Sequence, residues 1–216
     1  MGSYARMERY GLCDLFDQVG PRAPTLCTGW DTADLAAHLV IRENRPDAVP
    51  GIVLPPFAGY TSRIQHKVAS RPFDEVVEMI RRGPPRWSPY YLRPLDEAIN
   101  TVEYFIHNED VRRARPDWQP RELDQNLERI LWSRFRQLKW LLFRKAGVSL
   151  RVEPDGFPAI GDGNGLGGGN GPGHVTISGK PSELLIFATG RKKDALIEIH
   201  GSDDAVAALM NVPAGI

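Results

Sequence analysis

The hydrophobic pattern of this 216-residue chain changes period near Gly147, and that change limits the fold more than any other sequence feature. Before it, apolar side chains recur at the spacing of an amphipathic helix. After it, the segment 148–153 alternates apolar and polar residues, as a half-buried strand does. We therefore predict an α+β protein with a helical domain at 1–146 and a small α+β domain at 147–216.

The first domain is predicted to be an antiparallel four-helix bundle, because helices joined by modest loops pack side by side. Asp31 is a favourable N-cap, since its side chain can accept a hydrogen bond from a free backbone amide at the start of the second helix. The third helical segment holds one helix or two. Apolar periodicity with proline and glycine stops places the segments at about 3–19, 31–45, 61–82, 93–114 and 121–146.

The second domain is predicted to run in the order strand, strand, helix, strand, helix. Nine glycines in the segment 155–173 indicate a flexible hairpin loop between the first two strands. Gly163, Gly165 and Gly168 have the spacing of a nucleotide-binding loop, but no helix follows to direct amides at a phosphate, so no nucleotide site is predicted. The strands are expected at 148–153, 175–177 and 195–199, and the helices at 181–189 and 202–211.

Composition excludes several classes of protein. The 27 basic residues balance the 27 acidic ones, so no broad positive field is available for nucleic acid or an anionic membrane. No apolar run is long enough to cross a bilayer, and the N-terminal stretch lacks the apolar core of a signal peptide. Cys13 and Cys27 are too few for a disulfide framework and are predicted to be buried free thiols in a reducing cytoplasm, with a reactive cysteine as the alternative.

The segment 100–112 carries the strongest chemical signal. Glu103 and His107 are four residues apart, and Asp110 follows three residues later. On a helix this spacing puts the side chains on one face, where a carboxylate and an imidazole can share a metal ion. The same spacing fits an exposed ion pair, so the pattern alone leaves both interpretations open.

Two stripes are expected along the helix at 93–114. The apolar stripe is predicted to face the core and consists of Leu95, Ile99, Val102 and Ile106. The polar stripe runs beside it and consists of Asp96, Asn100, Glu103, His107 and Asp110.

His38 lies on the second predicted helix, beside the apolar face of Leu35 and Leu39. Alone, such a residue is more often a hydrogen-bonded core histidine than a ligand. Combined with Glu103 and His107, it supplies two imidazoles and one carboxylate, which is the ligand set of a catalytic zinc site with an open fourth position. The remaining histidines, His66, His174 and His200, are weaker candidates.

The segment Thr28–Leu39, with its Gly29-Trp30, Asp34-Leu35 and His38-Leu39 pairs, resembles the motif of the DinB-like superfamily. Together with Glu103-x-x-x-His107, it resembles the metal-binding domain of mycothiol-dependent maleylpyruvate isomerases. The segment 179–191 is similar to the small sterol-carrier-like C-terminal domain of such proteins, and the segment 100–113 is similar to an actinobacterial branch of them. The resemblance spans most of the chain. It implies a divalent metal, zinc before others, held by His38, Glu103 and His107.

The resemblance leaves the reaction open. A small thiol in the fourth metal position, with mycothiol as the candidate, implies an isomerase or a thiol transferase acting on a small electrophile. Water in that position implies a hydrolase, and a saturated site implies a non-catalytic metal-binding module. The expected partners are a small-molecule substrate or a thiol, without nucleic acid or membrane, and a homodimer remains an option.

Two further residues are candidates for supporting roles. Asp110 is predicted to accept a hydrogen bond from a ligand imidazole, although an exposed pair with Arg113 fits its spacing nearly as well. Arg191 is a candidate clamp for a substrate carboxylate if the small domain closes over the bundle. A solvated arginine in a basic turn is the alternative for Arg191.

Overall fold

The computed structural model describes residues 3–48, 51, 54–143, 146–161 and 173–212. Contacts within the chain divide it into two compact units, Met1–Pro120 and Arg121–Ile216. The described residues form eight α-helices and a three-stranded sheet, so the predicted α+β class is confirmed. Within these ranges, no helix is both long enough and apolar enough to cross a lipid bilayer.

In the described part of the first unit, the regular elements are helices, apart from an isolated bridge between Pro24 and Asp31. Helix α1 packs against α4 and α5, while α2 packs against α3 and α4. As predicted, Asp31 caps α2, and it forms a reciprocal capping box with Asp34. Short 3-10 turns precede α3 and α5, at Pro55–Phe57 and Pro89–Tyr91. The helices are α1 Tyr4–Val19, α2 Thr32–Asn44, α3 Ala58–Ala69, α4 Phe73–Arg82 and α5 Arg93–Arg113.

Helix α5 buries its polar stripe, which corrects the prediction that its apolar stripe faces the core. Asn100 and Asp110 are fully buried, whereas Ile99 is 38% exposed. The apolar residues that α5 does give to the core are largely others, such as Tyr104 and Val111. Polar side chains are tolerated inside because Glu43 of α2 accepts a hydrogen bond from Asn100 and Arg9 of α1 donates one to Asp96.

The second unit follows the predicted order of strand, strand, helix, strand, helix, preceded by one long helix. Its elements are α6 Gln125–Phe143, β1 Ser149–Pro154, β2 His174–Gly179, α7 Pro181–Ala188, β3 Glu198–Gly201 and α8 Asp203–Met210. Helix α6 packs against α7, and Glu128 of α6 accepts hydrogen bonds from the backbone and hydroxyl of Ser182. These contacts group α6 with the sheet, whereas the sequence pattern predicts a boundary near residue 147.

Strands β1 and β2 run parallel, so the predicted hairpin between them is wrong. Parallel neighbours require a crossover rather than a tight turn. The register pairs Leu150 with Val175 and Val152 with Ile177, and these four side chains are fully buried. Strand β3 pairs with β2 in antiparallel fashion. On the other edge of β1, Ile160 returns to form an antiparallel bridge with Val152.

Residues 162–172, which include the predicted Gly163, Gly165 and Gly168 pattern, lie outside the described residues.

Candidate metal centre

Helices α2 and α5 bring the three predicted ligands together inside the first unit. His38 Nε2 lies 3.4 Å from Glu103 Oε1, and His107 Nε2 lies 3.3 Å from the same oxygen. One ligand atom from each residue lies within 4.8 Å of the other two. His38 and His107 are nine-tenths buried, and the Glu103 side chain is 25% exposed. The i, i+4 spacing on α5 places His107 beside Glu103, and α2 brings His38 next to both of them.

These spacings fit a tetrahedral metal centre. Zinc bonds to histidine nitrogen and carboxylate oxygen are about 2.0–2.1 Å long, so neighbouring ligand atoms in a tetrahedron lie about 3.4 Å apart. The two distances to Glu103 Oε1 match that edge. They are also longer than the usual N–H···O hydrogen bond of about 2.9–3.0 Å. The donor set and these two distances therefore fit a divalent metal ion.

Asp110 determines which nitrogen of His107 carries the proton. Its Oδ2 lies 2.8 Å from His107 Nδ1 and is fully buried. An ionised carboxylate only accepts hydrogen bonds, so Nδ1 must be the donor. In neutral His107, Nε2 then presents a lone pair to Glu103 Oε1, which is itself an acceptor. Two acceptors this close require a proton or a metal cation between them.

Asp110 and Arg113 are both buried, so the exposed pair that the sequence left as an alternative is wrong. Arg113 donates to Glu109, with 2.7 Å between Nε and Oε2. The backbone carbonyl of Asp110 also accepts a hydrogen bond from the amide of Leu26, which holds the loop before α2 against α5.

The metal-free histidines differ in basicity. Burial by itself lowers the pKa of His107, but hydrogen bonds to Asp110, Cys27 and Glu103 raise it well above its ordinary value. Burial lowers the pKa of His38 despite its hydrogen bond to Glu103. Burial alone would raise the pKa of Glu103, yet the two histidines and Arg42 hold it well below its ordinary value. His107 is therefore the more basic of the two imidazoles.

Arg42 is a member of the site that sequence reasoning missed. Its Nε lies 3.1 Å from Glu103 Oε1, and its guanidinium carbon lies 4.9 Å from the centre of the Tyr90 ring. Only its position four residues after His38 hinted at this, because that spacing puts both side chains on one face of α2.

Cys27 also lies beside the site, and it is a free thiol as predicted but only partly buried. Its Sγ lies 3.2 Å from Asp110 Oδ2, so the Asp110 carboxylate accepts hydrogen bonds from both Cys27 and His107. The thiol is partly exposed. Cys27 and Asp110 are 83 positions apart in the chain, and no spacing rule predicts such a contact. Cys13, in contrast, is fully buried, as predicted.

We expect a disulfide reagent to modify Cys27 well before Cys13 in the native protein. Burial raises the pKa of the Cys13 thiol to about 12, so almost none of it is thiolate at neutral pH. A timed thiol titration should show one fast-reacting group, with the second released on denaturation. Cys27→Ser should remove the fast phase, and the matched Cys13→Ser variant should retain it. The opposite assignment would contradict the structure.

A cavity of about 380 Å³ reaches the site at His38. Its wall includes Trp30, whose ring centroid is 5.2 Å from that of His38. Its other side is formed by polar side chains of α3, namely Ser62, Gln65 and His66. The volume is within the range of small-molecule pockets.

The second unit holds the other predicted site residue. Arg191 donates from Nη1 to the carbonyl oxygen of Thr189, at 2.7 Å. Its role as a carboxylate clamp stays a prediction. His174 and His200 also lie in this unit and are exposed, and neither belongs to a group of possible metal ligands among the described residues.

Comparison with solved structures shows the same fold in a known enzyme. The crystal structure of the mycothiol-dependent maleylpyruvate isomerase matches 93% of this chain and 92% of its own, with a TM-score of 0.59 and 13% identity. This chain shares that isomerase's fold. A histidine-to-alanine mutant of the isomerase matches over the same shares, with a TM-score of 0.59 and 12% identity. No family model matches the sequence, and no curated protein does.

The likeness to the isomerase confirms the fold that the Thr28–Leu39 motif and the Glu103–His107 pair imply by resemblance. At this level of identity, it shows the fold and leaves activity, metal and thiol to be argued from the residues of this chain.

Proposed function

We propose that this protein binds a divalent metal, zinc before others, through His38, Glu103 and His107, and uses a small thiol to isomerise or thiolate a small electrophile. The observation that carries the proposal is the approach of two imidazole Nε2 atoms to one carboxylate oxygen at the edge length of a metal tetrahedron. The fold shared with a mycothiol-dependent isomerase favours mycothiol as the thiol.

A bound metal with one open position would lower the pKa of a coordinated thiol and so supply a nucleophile at neutral pH. The chain's own residues prepare that position. Asp110 holds His107 in the tautomer that leaves Nε2 free to bind. Trp30 packs on His38 and fixes the edge of the cavity. Burial of both imidazoles keeps bulk water from the ligand atoms.

The cavity beside His38 supports binding of a small molecule. Polar groups from Asp34, Ser62, Gln65 and His66 line it, together with the apolar face of Trp30. Such a mixture suits a polar thiol with an apolar substrate portion better than it suits a lipid.

The proposal also covers the identity of the two units. We infer that the helices of the first unit form the DinB-like bundle, because α1 packs on α4 and α5 while α2 packs on α3 and α4. The small sheet with α7 and α8 is proposed to be the sterol-carrier-like domain. Placement in an actinobacterial branch and action in the cytoplasm are proposed on the sequence alone.

The test is a thiol titration of the cobalt-loaded wild-type protein. Cobalt replaces zinc in such sites and reports on its ligands by visible absorption. Mycothiol should produce a saturable sulfur-to-cobalt charge-transfer band, and its S-methyl derivative, which lacks the free thiol, should not. Cobalt binding without a thiol response would favour the non-catalytic module or the hydrolase. A wild-type protein that takes up neither cobalt nor zinc would refute the proposal.

A further inference from the structure

Arg42 links the candidate metal ligand Glu103 to a buried polar network. Its Nε faces Glu103 Oε1 at 3.1 Å, and its Nη1 donates to Asn100 Oδ1. The ring of Tyr90 stacks on the guanidinium, and the Arg42 side chain is only 11% exposed. A planar guanidinium held at two edges and one face has little freedom to turn.

Asn100 is itself fixed in orientation. Its Nδ2 donates to Glu43 Oε1 at 2.8 Å and to Asp96 Oδ1 at 2.7 Å. Because both partners are carboxylates, the amide nitrogen must face them and the amide oxygen must face Arg42. Asn100 is fully buried, so no water competes for these bonds. Arg9 closes the network by donating to the same two carboxylates.

We infer that Arg42 is a positioning residue that holds Glu103 as a one-oxygen metal ligand. The inference rests on the proposed function of the site. The oxygen that Arg42 contacts is the one that faces both imidazoles. Turning the carboxylate to offer both oxygens to a metal would draw Oε1 away from its ion pair with Arg42. The arginine thus keeps the carboxylate from filling the position that a thiol or substrate needs.

The decisive variant is Arg42→Lys, because it keeps the positive charge and removes the planar fork. A lysine ammonium can reach Glu103 or Asn100 but cannot hold both in the arginine's geometry. Loss of a group that orients a metal ligand typically weakens metal binding about 10- to 100-fold. We expect a zinc affinity lower by that factor in chelator competition. We also expect weaker cobalt d–d absorption, because a two-oxygen carboxylate raises the coordination number above four.

Arg9→Lys is the matched control. It makes the same substitution in the same buried network, but Arg9 contacts Glu43 and Asp96 rather than Glu103. We expect it to lower the melting temperature and to leave zinc affinity and the cobalt spectrum unchanged. Wild-type affinity and spectrum in Arg42→Lys would overturn the inference, as would equal losses in both variants. Failure of the wild-type protein to bind metal would instead refute the proposed function itself.

Discussion

Replacing His107 by alanine is expected to abolish stoichiometric metal binding. The wild-type protein should hold about one zinc ion per chain after reconstitution, as a three-ligand site requires. His107→Ala removes a ligand and also one of the hydrogen-bond donors to buried Asp110. His38→Ala and Glu103→Ala remove the other two ligands. Each loss should exceed the roughly 10- to 100-fold effect of an outer residue, so elemental analysis of the dialysed variants should find essentially no metal.

Folding must be separated from ligation in these variants. His107→Ala leaves the buried Asp110 carboxylate with one donor fewer, which typically costs about 1–3 kcal/mol of stability. Glu103→Gln avoids this problem because it keeps the shape of the side chain, remains able to hydrogen-bond and loses only the charged ligand. It should fold as the wild type does and still fail to bind zinc.

His66→Ala is the matched histidine control. His66 lines the same cavity but is exposed and belongs to no group of possible ligands among the described residues. This variant should retain about one ion per chain, because the three-ligand set is intact. Full metal content in Glu103→Gln, or equal loss in His66→Ala, would be incompatible with the proposed centre.

Sequence rules that apply within a single helix predicted the local features of the structure correctly. Helix periodicity put Glu103 and His107 on one face of α5, and capping chemistry placed the start of α2 at Asp31. The element order of the second unit followed from the change of hydrophobic period at Gly147.

Contacts between distant segments are what the sequence could not supply. Hydropathy predicted that the face of α5 with Ile99 would be buried in the core. The face with Asn100 is buried instead, because Glu43 accepts a hydrogen bond from Asn100 and is itself paired with Arg9. The parallel pairing of β1 with β2 was also not predictable, because strand periodicity does not determine which strands pair or in which direction.

The sequence analysis missed two residues of the site for the same reason. Cys27 lies in a loop and Arg42 on α2, and each reaches the site only because its segment packs against α5. A spacing rule applies within one element, and these contacts join two. The position of His38 was the exception, since its sequence motif carried the information that its spacing lacked.

Zinc affinity is expected to rise with pH by about tenfold per unit around pH 7, because binding must displace one proton. In the metal-free protein, the pKa of His107 is raised well above its ordinary value, chiefly by Asp110 against the opposing effect of burial. His107 is therefore protonated over this range, and zinc competes with that proton for Nε2. Acid weakens binding, and the dependence levels off once the pH exceeds the pKa of His107.

The slope should correspond to one proton rather than two or three. Burial lowers the pKa of His38, so this residue is already neutral, and the pKa of Glu103 is held well below its ordinary value, so the carboxylate is already ionised. Calorimetric titrations at pH 7 in buffers of different ionisation enthalpy should therefore report about one proton released per zinc ion. Release near zero would mean that His107 is neutral despite Asp110. Release near two would mean that both imidazoles are charged before the metal arrives, and that the shared Glu103 oxygen is held between two cations.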